Sequence, residues 1–484
     1  MRVAILHYHL KPGGVTRVIE NTVRELLNVG VETLVFCSEQ PDEKAYPFDN
    51  VRIIPGLAYG DTFTEENADR LKSDLEDACL NEWGSLPDLW HVHNHSLAKN
   101  LELPAVVSQW AQEGQKLLLQ IHDFAEDGRP ENYKALLVTL AGKDLNKLNQ
   151  ILYPVGDHVS YAFINGRDRS FFTQAGIDEE RCHLLANPVW LEIDEEAQLN
   201  DPSIEGKRLF LYPTRSIRRK NMGELLLWSA AAEEDVVFGS TMAPANPTAL
   251  PIYENWVRLA DRLDLPVRFG FGEQHRFDAL LNSSYALITT SIAEGFGLAY
   301  LEPYLIGSQL VGRDLPDITT DFSETGIRLD GLYPRLDVPI AWVGKERLQK
   351  SVHDSLFRYY QRYRQPFKKS MTEEALDSII QGDTVDFGYL DETMQASIVE
   401  RVSKSPSLRL DFTPEKLDCF LSDREVDSNR EAIKKHFNPQ AYGERLLSIY
   451  RGLVESNVSQ TDFLNATTFL NCFLDPRRFN LLRT

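Results

Sequence analysis

Short apolar runs alternate with amphipathic helical patterns in two successive blocks, and this constrains the chain more than any other feature. Residues 2–7 read as a buried strand. A loop with Pro12, Gly13 and Gly14 follows, and then Val15, Val18, Ile19, Val23 and Leu26 recur at helical spacing up to Leu27. Gly30 reads as the stop of that helix, and residues 31–37 read as the next strand. Similar runs stand at 89–92, 117–121 and 182–185. A polar stretch at 194–207 reads as a linker. The pattern restarts with a strand at 208–212, a helix from Met222 to Ala232, and strands at 235–239, 266–270 and 285–289. Alternation of this kind requires parallel sheets covered by helices on both faces. The 484 residues exceed what one core holds, since single cores stop growing near roughly 250–300 residues.

The expected division is therefore α/β, with one parallel-sheet domain over 1–200 and a second over 201–430. Residues 350–430 are charged, lean helical without clear strand alternation, and look like an insertion. Residues 431–452 show helical apolar spacing at Ile433, Phe437, Tyr442, Leu446, Leu447 and Tyr450, within a closing segment 431–484.

Charge narrows the partners. The formal net charge is −21, which repels nucleic-acid backbones and anionic lipid surfaces. No stretch approaches the ~20 apolar residues of a membrane span. Cys37, Cys79, Cys182, Cys419 and Cys472 are scattered, without a C-x-x-C pair, and read as buried reduced thiols. With a strand beginning at Arg2 and no room for a signal peptide, the expectation is a cytoplasmic protein without integral membrane association.

The clearest chemical signal is Glu294-Gly-Phe-Gly-Leu-Ala-Tyr-Leu-Glu302. Glu294 is expected in a loop before a helix, and Glu302 about two turns into it. Carboxylates so placed can accept from sugar and ribose hydroxyls. The amides of Phe296, Gly297 and Leu298 between them are expected helix-start donors for a diphosphate. Arg215 and Lys220, aimed at one point after the strand 208–212, would neutralise a leaving nucleoside diphosphate. Arg218 and Arg219 crowd that motif, so the choice among the four cations stays open, as does a solvated surface.

Gly13 and Gly14 let backbone approach a phosphate or sugar closely, without the G-x-G-x-x-G spacing of dinucleotide folds. His91, His93 and His95 share a face only if their strand runs that far; a packed histidine core competes with a site, and no ligand spacing supports zinc. His122 ends another strand, and Asn187 begins an Asn-Pro-Val turn after a third. Gly270-Phe271-Gly272 is explained equally well by a turn. Asp386-Phe387-Gly388 lacks the companion segments of a kinase and is set aside.

Together these residues resemble the family 4 retaining glycosyltransferases. The 294–302 segment is similar to their E-x7-E motif, with Pro303 in place of a small residue and Ile306-Gly307 in place of Ala-Gly. Arg215 and Lys220 resemble the Arg/Lys pair of the family's second domain, Gly13-Gly14 its glycine loop, and Ile121-His122-Asp123 its H-D pair. The resemblance covers most of residues 1–345 and the helix near 436–451. It implies the GT-B fold: two Rossmann-like doubly wound parallel-sheet domains facing across a cleft, with a C-terminal crossover helix.

It also implies roles. Glu294, Lys220, Arg215 and His122 would be catalytic, with Glu294 and His122 on the hexose. Gly13, Gly14, Phe296, Gly297, Leu298, Glu302 and Asn187 would bind the donor, and His93 would lie on the acceptor side. The expected activity is retaining, metal-independent transfer of a hexose from a nucleotide-diphosphate sugar to a hydroxyl acceptor, a soluble sugar, glycan or small metabolite, with no cofactor. Homo-oligomerisation stays open. A phosphorylase or sugar-nucleotide epimerase of the same fold, or a non-catalytic nucleotide-sugar-binding protein, is the alternative; a dehydrogenase is disfavoured.

Overall fold

A computed structural model describes residues 1–409, 417–418 and 420–483. Cys419 and part of the 350–430 stretch lie outside the described residues. The chain forms two units. One comprises Met1–Pro188, Tyr359–Pro366 and His436–Asp475; the other comprises Val189–Arg358, Phe367–Lys435 and Pro476–Thr484.

The first unit is built on seven parallel strands: β1 (Arg2–Leu6), β2 (Glu32–Cys37), β3 (Val51–Ile53), β4 (Leu89–His93), β5 (Leu117–Ile121), β7 (Val159–Phe163) and β8 (Cys182–Leu184). A short β6 (Pro154–Val155) pairs instead with Asp462–Phe463, antiparallel. Val3, Ala4, Ile5 and Leu6 are fully buried, as in a strand covered on both faces. The spatial order is β3-β2-β1-β4-β5-β7-β8, so it reverses between β1 and β4.

The helix Gly14–Asn28 follows β1 and buries Val18, Ile19, Val23 and Leu26. Tyr442, Leu446, Tyr450 and Leu453 join them in one apolar cluster. A Cβ on Gly443 would stand 2.6 Å from Glu25 Cβ, so the two helices meet where a side chain has no room. The single helical segment expected at 431–452 is two helices, Asp423–His436 and Pro439–Glu455. The break is local. The Asn438 side chain accepts from the Ala441 amide at 2.8 Å, and Pro439 starts a new first turn.

The second unit holds β9 (Arg208–Arg215), β10 (Val236–Met242), β11 (Val267–Arg268), β12 (Ala286–Thr289), β13 (Leu310–Arg313) and β14 (Leu332–Tyr333). All pairings are parallel, in the order β11-β10-β9-β12-β13-β14. This is the Rossmann arrangement, with its reversal between β9 and β12. β9 runs three residues past the expected end at 212. The register slips beside Pro213 between Ser240 and Met242, because a proline cannot donate to the ladder.

Parts of the 350–430 stretch pack into the second unit. Its helix Glu392–Ser403 packs on the helix Met222–Ala231, every residue of which is buried. Two of its short strands, Ile380–Gln381 and Thr384–Asp386, form an antiparallel sheet with Asp337–Pro339. Among the described residues, no helix is long and apolar enough to cross a membrane.

Candidate functional site

In doubly wound sheets, ligands bind outside the carboxyl ends of the strands where the order reverses. In the second unit that place is the loops after β9 and β12. The first loop ends in a 3-10 turn, Arg218–Lys220, closed by Asn221 at φ 53°. The second runs from Thr290 to Gly297. Their backbones are stitched together. The Ile292 amide donates to the Arg219 carbonyl at 2.9 Å, and the Thr290 hydroxyl donates to the Lys220 carbonyl at 2.9 Å.

The stitch brings cations onto one carboxylate. Arg219 Nη1 donates to Glu294 Oε2 at 2.7 Å and to the Ala293 carbonyl at 2.7 Å, while Lys220 Nζ meets Glu294 Oε1. Burial alone would push the Glu294 carboxyl up; Lys220 and Arg219 together hold it below its ordinary value, so it is a carboxylate. The four basic residues thus separate. Arg218 is committed to Glu392 and to the Leu481 carbonyl. Arg219 and Lys220 share Glu294, and Arg215 is exposed, without an ion pair among the described residues. Lys220 keeps donors in hand, since an ammonium has three and one faces Glu294.

The expected placement of Glu302 needs correction. Gly297 adopts φ 91°, a 3-10 turn spans Leu298–Tyr300, and Glu302 is the first residue of a four-residue helix. It stands just past one tight turn, not two helical turns in, because the left-handed Gly297 ends the approach and Pro303 is tolerated only in a first turn. A Cβ on Gly297 would fall 2.9 Å from Ile318 and from Tyr300. The amides of Gly297 and Leu298 donate to no acceptor among the described residues. They act locally, without an extended helix dipole behind them. Phe296 is 6% exposed and its ring meets Phe322 edge-on at 5.5 Å.

Behind the two loops lies a buried ionic cluster that sequence reading missed. Arg313 bonds Glu224 at 2.6 Å and Asp386 at 2.8 Å, and all three side chains are at most 3% exposed. Tyr333 and Asn221 each donate to Glu224 at 2.8 Å, and the Gly388 amide donates to Asp386 at 3.1 Å. Gln395 donates to Asn221 Oδ1 at 2.9 Å. Asn221 follows Lys220 directly, so this network fixes the start of the cationic turn. The Asp-Phe-Gly segment is thus an arginine clamp.

The first unit reverses between β1 and β4, and here the side chains are histidines. His93 Nδ1 and His122 Nε2 lie 3.0 Å apart, and one ring carries the shared proton. His91 has structural partners: Tyr450 Oη at 2.7 Å and Gln120 Oε1 at 3.0 Å. His95 does not share their face. β4 ends at His93, Asn94 turns left-handed at φ 54°, and His95 reaches the Leu152 carbonyl at 2.6 Å. Asn94 Oδ1 accepts from the His122 amide at 2.7 Å and the Asp123 amide at 3.2 Å, joining the ends of β4 and β5.

Burial keeps these rings neutral. It pushes His7 and His91 down to about 3 and His122 down to about 4, and holds His93 well below the usual histidine range. His93 Nε2 is buried without a hydrogen-bond partner among the described residues. Gly13 and Gly14 open the helix after β1, where a Cβ on Gly14 would meet nothing within 4 Å; packing does not demand that glycine. Asn187 Oδ1 is buried without a hydrogen bond among the described residues.

The structure therefore joins Lys220 with Glu294, places Gly297, Leu298 and Glu302 in one turn, and bonds His93 to His122. Arg215, Lys220, Glu294 and Glu302 belong to the second unit; Gly13, Gly14, His93, His122 and Asn187 belong to the first. Gly270, at φ 65°, precedes a four-residue helix Phe271–Gln274 in which Phe271 is buried, so the expected turn is a short helix start.

No family model matches the chain. It is 26% identical over 423 residues to the mannosylglucosyl-3-phosphoglycerate synthase of Petrotoga mobilis, covering 81% of this chain and 79% of the relative. Its fold is similar to Anabaena HepE crystallised with UDP and glucose, at TM-score 0.53 and 13% identity over 93% of this chain and 99% of that one. A glycosyltransferase of Rickettsia africae gives TM-score 0.53 at 12% identity, over 94% and 98% of the two chains. The fold class is α/β, two Rossmann-like units each built on a doubly wound parallel sheet, as in GT-B proteins.

Proposed function

We propose that the chain is a nucleotide-sugar-dependent glycosyltransferase that moves a hexose, with retention and without a metal, to a hydroxyl of a soluble sugar, glycan or small metabolite. One observation carries the reading: the loops after β9 and β12 gather Lys220, Arg219 and two undirected amides at the strand-order reversal of the second unit. Paired cations and bare amides there suit a pyrophosphate. The similarity to a mannosylglucosyl-3-phosphoglycerate synthase and to a fold crystallised with UDP and glucose supports the same reading.

In this scheme Arg215 and Lys220 hold the donor diphosphate with the amides of Gly297 and Leu298, beside the backbone of Phe296. Glu302 accepts from the ribose hydroxyls. Glu294, kept ionised by Lys220 and Arg219, accepts from hexose hydroxyls. In the first unit, the neutral His122 ring offers an imidazole nitrogen to hexose hydroxyls, and His93, fully buried behind it, acts toward the acceptor side only through that ring. Gly13 and Gly14 leave backbone bare for a phosphate or sugar, and Asn187 offers an unpartnered carbonyl.

The bond from the anomeric carbon to the diphosphate breaks as the bond to the acceptor oxygen forms on the same face. The acceptor proton passes to the leaving phosphate oxygen. Positioning and charge stabilisation supply the rate, and no metal or protein nucleophile enters.

Thermal-shift titration with UDP, GDP, ADP and their glucose conjugates tests the reading. One series should raise the unfolding midpoint, by ~2.7 kcal/mol of stability at a hundredfold excess over Kd. Indifference to all of them would end the proposal.

A further inference from the structure

Three loops at the carboxyl edge of the first sheet meet around one exposed ring. Tyr59, in the loop after β3, is 55% exposed. It is nevertheless fixed. Its hydroxyl lies 2.9 Å from His9 Nε2, and its ring packs edge-on against Tyr8 at 5.5 Å. Both partners follow β1. The carrying loop is pinned as well: Asn100 Nδ2 donates to the Gly56 carbonyl at 2.8 Å and the Ala58 carbonyl at 2.9 Å, and the Gly60 amide donates to the Lys99 carbonyl at 2.9 Å.

Lys99, in the loop after β4, places Nζ 5.3 Å from the Tyr59 ring centre. It pairs with no carboxylate among the described residues. The neighbouring Lys11 differs, because Glu39 neutralises it at 2.7 Å. Ala98, just before Lys99, adopts φ 58°, a left-handed backbone that an alanine takes only when its surroundings impose it. So an aromatic face is held open to solvent, and a strained loop sets an unmatched ammonium over it. This happens in a chain whose overall charge is −21. Fixed aromatic faces stack on the C–H faces of sugars and other apolar surfaces, and an unmatched ammonium recruits an anion.

We propose that Tyr59 and Lys99 form an acceptor subsite selecting a hydroxyl compound that also bears an anionic group, a phosphate or a carboxylate. The subsite rests on the glycosyl-transfer reading and deepens it by naming the class of acceptor. The acceptor's ring or carbon chain lies on Tyr59 and its anion meets Lys99. Tyr8 and His9 hold the platform as positioning residues.

Calorimetry with glucose 6-phosphate, glucuronate and glucose tests this, on the full chain and on Lys99→Ala and Tyr59→Ala. At least one anionic sugar should bind about tenfold or more tightly than glucose, and Lys99→Ala should reduce that advantage to under about twofold. Tyr59→Ala should weaken all three. Preference for glucose 6-phosphate assigns a phosphate, and preference for glucuronate a carboxylate. Equal binding of the three sugars, or an anionic advantage that survives in Lys99→Ala, overturns the subsite. The nucleotide titration on the same preparation keeps the readings apart. A nucleotide response without anionic preference removes only the subsite; a Lys99-dependent preference without nucleotide binding removes only glycosyl transfer.

Discussion

Both sheets reverse their strand order once, and both set polar side chains at the reversal, yet the two sets differ in kind. The second unit places charges there: Lys220 and Arg219 against an ionised Glu294, with Arg215 exposed beside the same strand end. The first unit places neutral rings there, His7, His91, His93 and His122, all held below the usual histidine range by burial. A shared topology fixes where a ligand binds, and the side chains decide which chemistry the place can hold. Charge suits a diphosphate; neutral donors and acceptors suit hydroxyls that must not be ionised by their surroundings.

The second unit is most vulnerable at Arg313. Replacing it by Met leaves Glu224 and Asp386 buried without their cation, and the expected cost is ~3–5 kcal/mol in denaturant unfolding. A loss under about 1 kcal/mol would show that the clamp does not hold the second unit together.

His122 gives the next effect. Its folded value of about 4 lies below the unfolded 6.5, so its contribution is complete above pH 6.5 and disappears as pH falls through about 4. The full span amounts to roughly 3 kcal/mol. Melting curves of the wild type should therefore fall more steeply than those of His122→Gln across this window. Parallel curves would mean the ring is not kept neutral by folding.

Lys220→Ala should lower turnover by about 100-fold or more with the unfolding midpoint little changed. Near-normal transfer would remove Lys220 from the diphosphate. Glu302→Gln should act more mildly, weakening nucleotide binding about tenfold in calorimetry while sugar-only ligands are unaffected. The smallest expected effect is none: EDTA should leave transfer intact, and loss of activity restored by added divalent cation would put a metal into the mechanism.

Much of the fold was legible because parallel strands covered on both faces leave continuous apolar runs, as at residues 3–6 and 117–119. The motif loops were legible because glycine and charge are concentrated just after those runs. Four things were not. Spacing alone carries no geometry for Glu302, although Gly297 and Pro303 argue for a short, interrupted helix start. The split at 437–438 had a signal too, an Asn-Pro pair that caps and restarts a helix. The Glu224–Arg313–Asp386 cluster and the His93–His122 bond left no trace in spacing. Their members come from separate elements that only the tertiary fold brings together.

The first unit's own histidines wait for residues far down the chain. His91 Nδ1 needs the Tyr450 hydroxyl, and Tyr442 supplies a bond to Thr22 at 3.2 Å and another to Gln120 at 3.3 Å. On the ribosome, a nascent chain ending at Pro188 would therefore expose the apolar stripe of its first helix and leave that nitrogen unanswered until more than 250 further residues had emerged. Synthesis order makes the earliest strands the last to be finished, so a stalled or truncated message should yield a product that chaperones hold or proteases clear.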